Sequence, residues 1–195
     1  MLAGLDRMHE RREAWTDLGP VLERRVSIED DPTERATLLL RLGELRETQF
    51  GDNRGAFSSY QEIIERDPSD TRALDALERL GRDPALALEV LDVLETAYRG
   101  TGALDRIAGL YDIRIDLADS DGERVRLLQE SASLWEEELG RPEEAMKATR
   151  RAFVLDPRDE HVLSELERLA MVTGDFEGLR GLVEELEEGG NLDSS

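Results

Sequence analysis

No cysteine occurs in the 195 residues, which removes disulfides, thiolate-bound metals and cysteine nucleophiles together. Lysine is almost as scarce: Lys147 stands alone, so 24 of the 25 basic residues are arginine, as expected of GC-rich bacterial coding. Aromatics make up only 5% of the chain. No apolar run approaches the roughly 18 residues of a membrane span. The opening stretch, MLAGLDRMHERREAW, is broken by charges throughout, so it lacks a signal-peptide core and reads like the middle of an amphipathic helix. It suggests either an array that begins abruptly or a piece of a longer one, and a cytoplasmic location is expected. Positive charge is in short supply too: 25 basic against 46 acidic side chains leave −21 at pH 7. That field repels phosphate backbones and anionic membrane surfaces, so neither nucleic acid nor membrane is expected as a partner. Basic or mixed-charge protein surfaces are the partners it favours.

Motifs for chemistry are missing as well. His9 and His161 lie far apart, with no carboxylates at metal-ligand spacing. Asp119-Ser120-Asp121-Gly122 imitates part of a calcium loop, but Leu117 and Leu128 stand where its first and closing carboxylates belong, so a helix-capping turn is expected instead. Glu136-Glu137-Glu138 and the acidic run at 184–188 are consecutive helical residues that point in different directions, which suits solvated faces rather than an acid–base pair. There is no phosphate-cradling glycine loop and no nucleophile elbow. The expectation is a non-enzyme with no cofactor and no bound metal.

What is present is repetition. IERDPSDTRALDALERL (64–80) returns 89 residues later as FVLDPRDEHVLSELERL (153–169), with eight of seventeen letters identical. The register holds without a gap from about Trp15/Leu104 to Leu80/Leu169 and includes Leu38-Leu39 with Leu127-Leu128, Gly51 with Gly140, and Ala56 with Ala145. A fixed internal period of this kind signals stacked structural units.

Within each unit the apolar spacing is three-and-four, as in Leu38, Leu39, Leu42 and Leu45, and nothing alternates with period two. The reading is an all-α chain of about eleven helices, near 2–13, 15–29, 33–50, 54–66, 70–81, 84–99, 103–118, 122–139, 142–155, 159–173 and 176–188. Short loops make consecutive helices antiparallel neighbours. Each Asp-Pro-x-Asp phrase ends one helix and caps the next, because the residue before proline leaves the helical region and the following Asp accepts backbone N–H groups. Gly19-Pro20 falls inside the second of these helices, where a kink or a restart at Pro20 is expected. Residues 189–195 read as a flexible polar tail.

Gly43, Ala56, Tyr60, Ile63 and Pro68, matched by Ala132, Trp135, Ala145, Thr149, Ala152 and Pro157, resemble the tetratricopeptide repeat (TPR), a helical hairpin of about 34 residues. Looser hairpins run through Leu91, Leu94, Tyr98 and Ile107, through Leu163, Leu166, Ala170 and Phe176, and, as a tail, through Leu5, Trp15 and Leu18. Small residues let helices cross closely while rings fill the space beside them, so Tyr60, Tyr98, Trp135 and Phe176 are expected in the core. The pattern departs from the family by one extra residue between Gly43 and Ala56, and helix 70–81 looks inserted between standard pairs. The resemblance implies a right-handed TPR-like α-solenoid over 1–188, with repeat units near 15–80 and 104–169 and a connecting helix in 81–103.

It also implies a bacterial scaffold-type module that binds a partner protein or peptide in a concave groove. By family position the groove residues are Thr37, Leu40, Arg41, Glu44 and Glu47, then Arg126, Gln129, Glu130, Ser133 and Glu136, and later His161, Ser164, Glu165 and Arg168. The family's clamp for a C-terminal carboxylate is not matched, since Leu40 and Gln129 replace its Lys while Glu44 and Ser133 replace its Asn. A basic or mixed-charge partner is therefore expected. The rival reading is a structural segment that stacks on copies of itself through its end helices, and a third is a peptide-sensing regulatory domain.

Overall fold

The computed structural model describes residues 15–188. Ten α-helices and two π-helical turns are found there, and no strand occurs among the described residues. The helices are α1 (Trp15–Ile28), α2 (Pro32–Leu45), α3 (Asn53–Arg66), α4 (Thr71–Leu80), α5 (Ala87–Thr101), α6 (Leu104–Leu117), α7 (Asp121–Ser133), α8 (Pro142–Leu155), α9 (Glu160–Thr173) and α10 (Phe176–Glu188). The eleventh expected helix, 2–13, lies outside the described residues, as do His9 and the tail 189–195.

The chain divides after Gly102 into two compact units. Within each, consecutive helices pack against one another, α1 to α5 in the first and α6 to α10 in the second. Four helices of the second unit begin 89 residues after their counterparts, at 32 and 121, 53 and 142, 71 and 160, and 87 and 176, and the described part of α1 corresponds to α6 in the same register. The period seen in the letters thus extends one helix further than the letters do. The helix read as a connector in 81–103 is α5, and it stands in register with α10.

Local chemistry explains the boundaries. Asp31 caps α2 by accepting from the N–H groups of Thr33 at 3.0 Å and Glu34 at 2.9 Å, with Pro32 at the first helical position, where its missing N–H costs nothing. Asp67 and Asp156, each before a proline, leave the helix at φ −134° and −138°. Asp70 and Asp159 then cap α4 and α9 through paired backbone N–H groups. Ser120 caps α7 by accepting from Glu123 N–H at 3.2 Å, which is the capping turn expected of the calcium-like phrase. Of the kink or restart expected at Pro20, the restart does not occur: α1 continues through it to Ile28. Thr16, whose carbonyl loses its i+4 donor, is exposed beside an exposed Pro20, so water can take the donor's place.

The helices 33–50 and 122–139 do not remain α throughout. Each turns π over its last residues, as π1 (Arg46–Phe50) and π2 (Leu134–Glu138). In π2 the Leu139 N–H reaches back five residues to the Leu134 carbonyl at 3.1 Å. Gly51 and Gly140 follow, both at φ 63°, a left-handed conformation that ends the element.

The core of each unit is the shared stripe of these helices. Leu38, Leu39, Leu42 and Leu45 of α2 and Phe57, Tyr60, Ile63 and Ile64 of α3 are all buried, each side chain contributing about 1.5–3 kcal/mol by leaving water. Tyr60 and Tyr98 are core residues as expected. Trp135 is only half-buried, and Phe176, the first residue of α10, is exposed, contrary to expectation, although its counterpart Ala87 is buried: the position that takes a methyl group in the first unit does not take the ring in the second.

Candidate docking surfaces

In the first unit, Arg41 and Glu44 come together one helical turn apart on α2. With Trp15, Leu18, Leu22 and Thr48 they line a shallow depression of about 170 Å³ between α1 and α2. Leu40, expected to face a groove, is instead buried among the leucines of α2. It lies between Leu39 and Leu42 on a helix whose apolar stripe is wide enough to take it in. Thr37 is half-buried and its hydroxyl donates to the Thr33 carbonyl of its own helix.

Glu47 takes a different role. The π turn aims its carboxylate at α4, where Arg79 donates through Nε at 2.8 Å and through Nη2 at 2.9 Å, while the Tyr60 hydroxyl donates at 3.2 Å. The Arg79 hydrogen bonds hold the Glu47 carboxyl below the usual carboxylate range, against the opposing effect of burial. Burial first, and then the Glu47 charge, push the Tyr60 phenol far above its ordinary value.

The second unit repeats this device. Glu136 in π2 accepts from Arg168 of α9, through Nη1 at 2.8 Å and also through Nη2. Arg168 also binds Glu165 one turn back, and this holds the Glu165 carboxyl low. Arg168, expected as a groove residue, is therefore committed to a bridge between the end of α7 and α9. Arg79, its equivalent, was not among the expected site residues. Two signals could have found it: it is one of the eight repeated letters, and Glu47 and Glu136 are also 89 apart.

The remaining expected residues of the second unit form a row on α7. Arg126 bonds Glu130 at 2.6 Å and approaches Glu123 at 3.8 Å, Gln129 is half-buried, and Ser133 is exposed. His161 and Ser164 are exposed on α9, and the His161 backbone N–H is taken by Asp159. Exposed pairs of this kind contribute at most about 1 kcal/mol each and can be exchanged for a partner's charges.

Two clefts were not anticipated. One of about 410 Å³ lies between α3 and α5, with Ile64, Pro68, Val93 and Ala97 among its walls and Glu65 and Asp92 as its charged residues. The other, of about 520 Å³, lies among α6, α7 and α8 over Ile115, Leu128, Val154 and Leu155, with Asp116, Arg124, Arg150 and Arg151 around it. Here the units diverge. In the first, Arg35 binds Glu62 at 2.6 and 2.9 Å. In the second, the counterpart of Glu62 is Arg151, which turns to Asp112 at 2.8 Å. One-residue spacing patterns do not reveal such clefts, since they arise where three helices meet.

Among the described residues no group of three or more His, Asp or Glu side chains is arranged to hold a metal ion. No helix among them is long and apolar enough to cross a membrane. No protein-family model matches the chain, and no curated protein matches it.

Proposed function

We propose that this chain is a protein-docking module, a TPR-like α-solenoid segment of a larger scaffold that receives a basic or mixed-charge protein or peptide on its helical faces and performs no catalysis. The observation that carries the reading is the 89-residue recurrence of four successive helix starts. Repeated helical units that bury only their shared stripes leave long exposed helical rows, and such surfaces suit extended partners better than small substrates. The rows around Arg41 and Glu44, and around Arg126, Gln129, Glu130 and Ser133, carry mixed charge on exposed or half-buried positions. Charge there would set orientation and association rate more than affinity.

The test is capture of proteins by the immobilised chain across a salt series, in parallel with the double variant Glu44→Arg/Ser133→Arg. The expected result is a discrete set of partners that weakens with salt and is lost with the double variant. Capture indifferent to both treatments would count against this reading.

A second reading, self-stacking, is favoured by Met171, Val172 and Phe176, which lie within six residues at 66%, 55% and 57% exposure. Light scattering over a concentration series separates the two: a monomer throughout removes self-stacking, and a dimer abolished by Phe176→Asp supports it.

A further inference from the structure

The two units make opposite choices along one face of their third helix, where α3 reads Gln61, Glu62, Glu65 and Arg66 and α8 reads Arg150, Arg151, Val154 and Leu155. In the first unit Arg35 of α2 donates to Glu62 through Nε at 2.9 Å and Nη2 at 2.6 Å, and to the Val26 carbonyl of α1 through Nη1 at 2.6 Å. One guanidinium thus ties three helices together, and the carboxylate it needs comes from within the unit.

In the second unit Arg35 returns as Arg124, but Glu62 has become Arg151. Arg124 keeps a backbone carbonyl, that of Ala118 at 2.9 Å, and turns Nη1 to Asp121 in the first turn of its own helix at 2.7 Å. Neither contact uses Nε, one of the two nitrogens that hold Glu62 in the first unit. Arg151 leans to Asp112 of α6 at 2.8 Å, a pair exposed on both sides, and Arg150 is taken up by Asp175 and the Gly178 carbonyl of α10. Between them lies the cleft of about 520 Å³, with Ile115 and Leu128 buried in its floor, Leu155 half-buried and Val154 47% exposed. Its lining carries the three guanidiniums and a single carboxylate, that of the exposed Asp116.

We propose that this cleft binds a glutamate-bearing segment of a partner protein, whose carboxylate stands to Arg124 and Arg151 as Glu62 stands to Arg35 in the first unit. An aliphatic side chain of the same segment covers Leu128, Val154 and Leu155. Arg124 holds the incoming carboxylate without giving up Asp121, because a guanidinium carries five N–H donors arranged in forks that suit carboxylates. The Arg151–Asp112 pair is exposed, so sharing it with a partner costs little. The proposal rests on the docking reading above and narrows its partner. Asp112, Asp116 and the net charge of −21 repel a purely acidic peptide, so the segment around the glutamate is neutral or basic.

The experiment is an amide chemical-shift titration with a blocked peptide that carries one leucine, one glutamate four residues on and a lysine at each end, in an otherwise alanine and glutamine sequence. Shifts are expected at 115–116, 124–128 and 150–155, with binding about tenfold weaker when glutamine replaces the glutamate. Arg151→Glu and Val154→Glu each write the first unit's own letter at an exposed position, so unchanged circular dichroism is expected of both. Arg151→Glu gives Arg124 back an internal partner and should weaken binding about tenfold or more; Val154→Glu puts a carboxylate into the apolar floor and should weaken it comparably. Arg180→Glu, on α10, changes the net charge as much as Arg151→Glu and should leave the affinity within about twofold. The proposal is overturned if millimolar peptide leaves these residues unmoved, if the glutamate and glutamine peptides bind equally, if neither cleft variant changes the affinity, or if Arg180→Glu weakens binding as much as Arg151→Glu. Shifts confined to 41–49 would overturn this site while leaving the docking reading intact. Failure of protein capture across the salt series, with the peptide still bound here, would count against that reading and not against this site.

Discussion

A methyl group on Gly43 would stand 2.4 Å from Cε1 of the Tyr60 ring. The ring is fully buried at 0% exposure, so it cannot swing aside. In the second unit the same two positions are Ala132 and Thr149: where the glycine gains a methyl group, the ring gives way to a smaller side chain.

Gly43→Ala is therefore expected to destabilise the first unit. Helix propensity favours alanine by about 1 kcal/mol, but overpacking a core costs about 1–3 kcal/mol, and a contact this short belongs at the upper end. The net loss should be about 1–2 kcal/mol by urea denaturation. Gly43→Ala/Tyr60→Thr should lose less than the two single changes added together, as a coupled pair does. Strict additivity would show that the two positions do not share the contact.

Acid should weaken the fold through three carboxylates held low by arginine hydrogen bonds: Glu47 by Arg79, Asp70 by Arg72, and Glu165 by Arg168. A depressed native pKa gives stability that is present above the unfolded value, near 4 for these groups, and is lost as pH falls through the native value. Relief of the net negative charge on acidification works the other way, so the comparison must be with a variant. Glu47→Gln should be less stable than the parent at pH 7, with the gap closing below about pH 4. A gap that stays constant down to acid would remove the Glu47–Arg79 bridge as its source.

Alkali should act through Tyr60. Its phenol is pushed up by burial and by Glu47, so the native state resists ionisation while the unfolded chain ionises near pH 10. Stability is present below that value and falls as pH rises beyond it. Tyr60→Phe should flatten this alkaline limb in melting curves, and an unchanged slope would exclude Tyr60 as its cause.

The paired caps offer an internal replicate. Asp70 accepts from Arg72 N–H at 3.0 Å and Ala73 N–H at 3.2 Å, and Asp159 from His161 N–H at 2.9 Å and Val162 N–H at 3.2 Å. Asp70→Ala and Asp159→Ala should each cost about 1 kcal/mol, and the Ser variants markedly less. Costs that differ severalfold between the two sites would mean that something other than capping sets them.

Gly51→Ala and Gly140→Ala test backbone alone, since no atom lies within 4 Å of the added methyl group at either site. At φ 63° each should lose about 1–2 kcal/mol, and Asn should recover part of it. Neutral alanine variants would mean that the turn relaxes out of the left-handed region.

Helix positions were legible in the sequence because caps and apolar spacing act locally. Asp31, Asp70, Asp159 and the two Asp-Pro steps place boundaries within a residue or so of those found. The equivalence of α5 and α10 was not legible: between Ala87 and Arg99 only Glu95 keeps its letter, in Glu184, although Val90, Val93, Leu94 and Ala97 keep apolar counterparts. The π turns left one trace, the extra residue between Gly43 and Ala56, but spacing alone does not say where in a helix a surplus residue is absorbed. Of the surface, Arg41 and Glu44 line one shallow depression together, whereas Leu40 entered the core and Arg168 entered an ion pair. Side-chain partners on neighbouring helices decide such outcomes, and periodicity along one helix does not contain them.

The wide turn at the end of α2 also makes this the point where a change in chain length is felt most. Deleting one residue from π1 would restore ordinary winding and rotate what remains of that segment by roughly 100° about the helix axis. Glu47 would then swing away from Arg79, and the crossover into α3 would start from a different side of the leucine stripe of α2. Insertions and deletions should thus be tolerated least where the helix already holds its one spare residue, and each unit carries one such segment, ending just before Gly51 in the first and just before Leu139-Gly140 in the second.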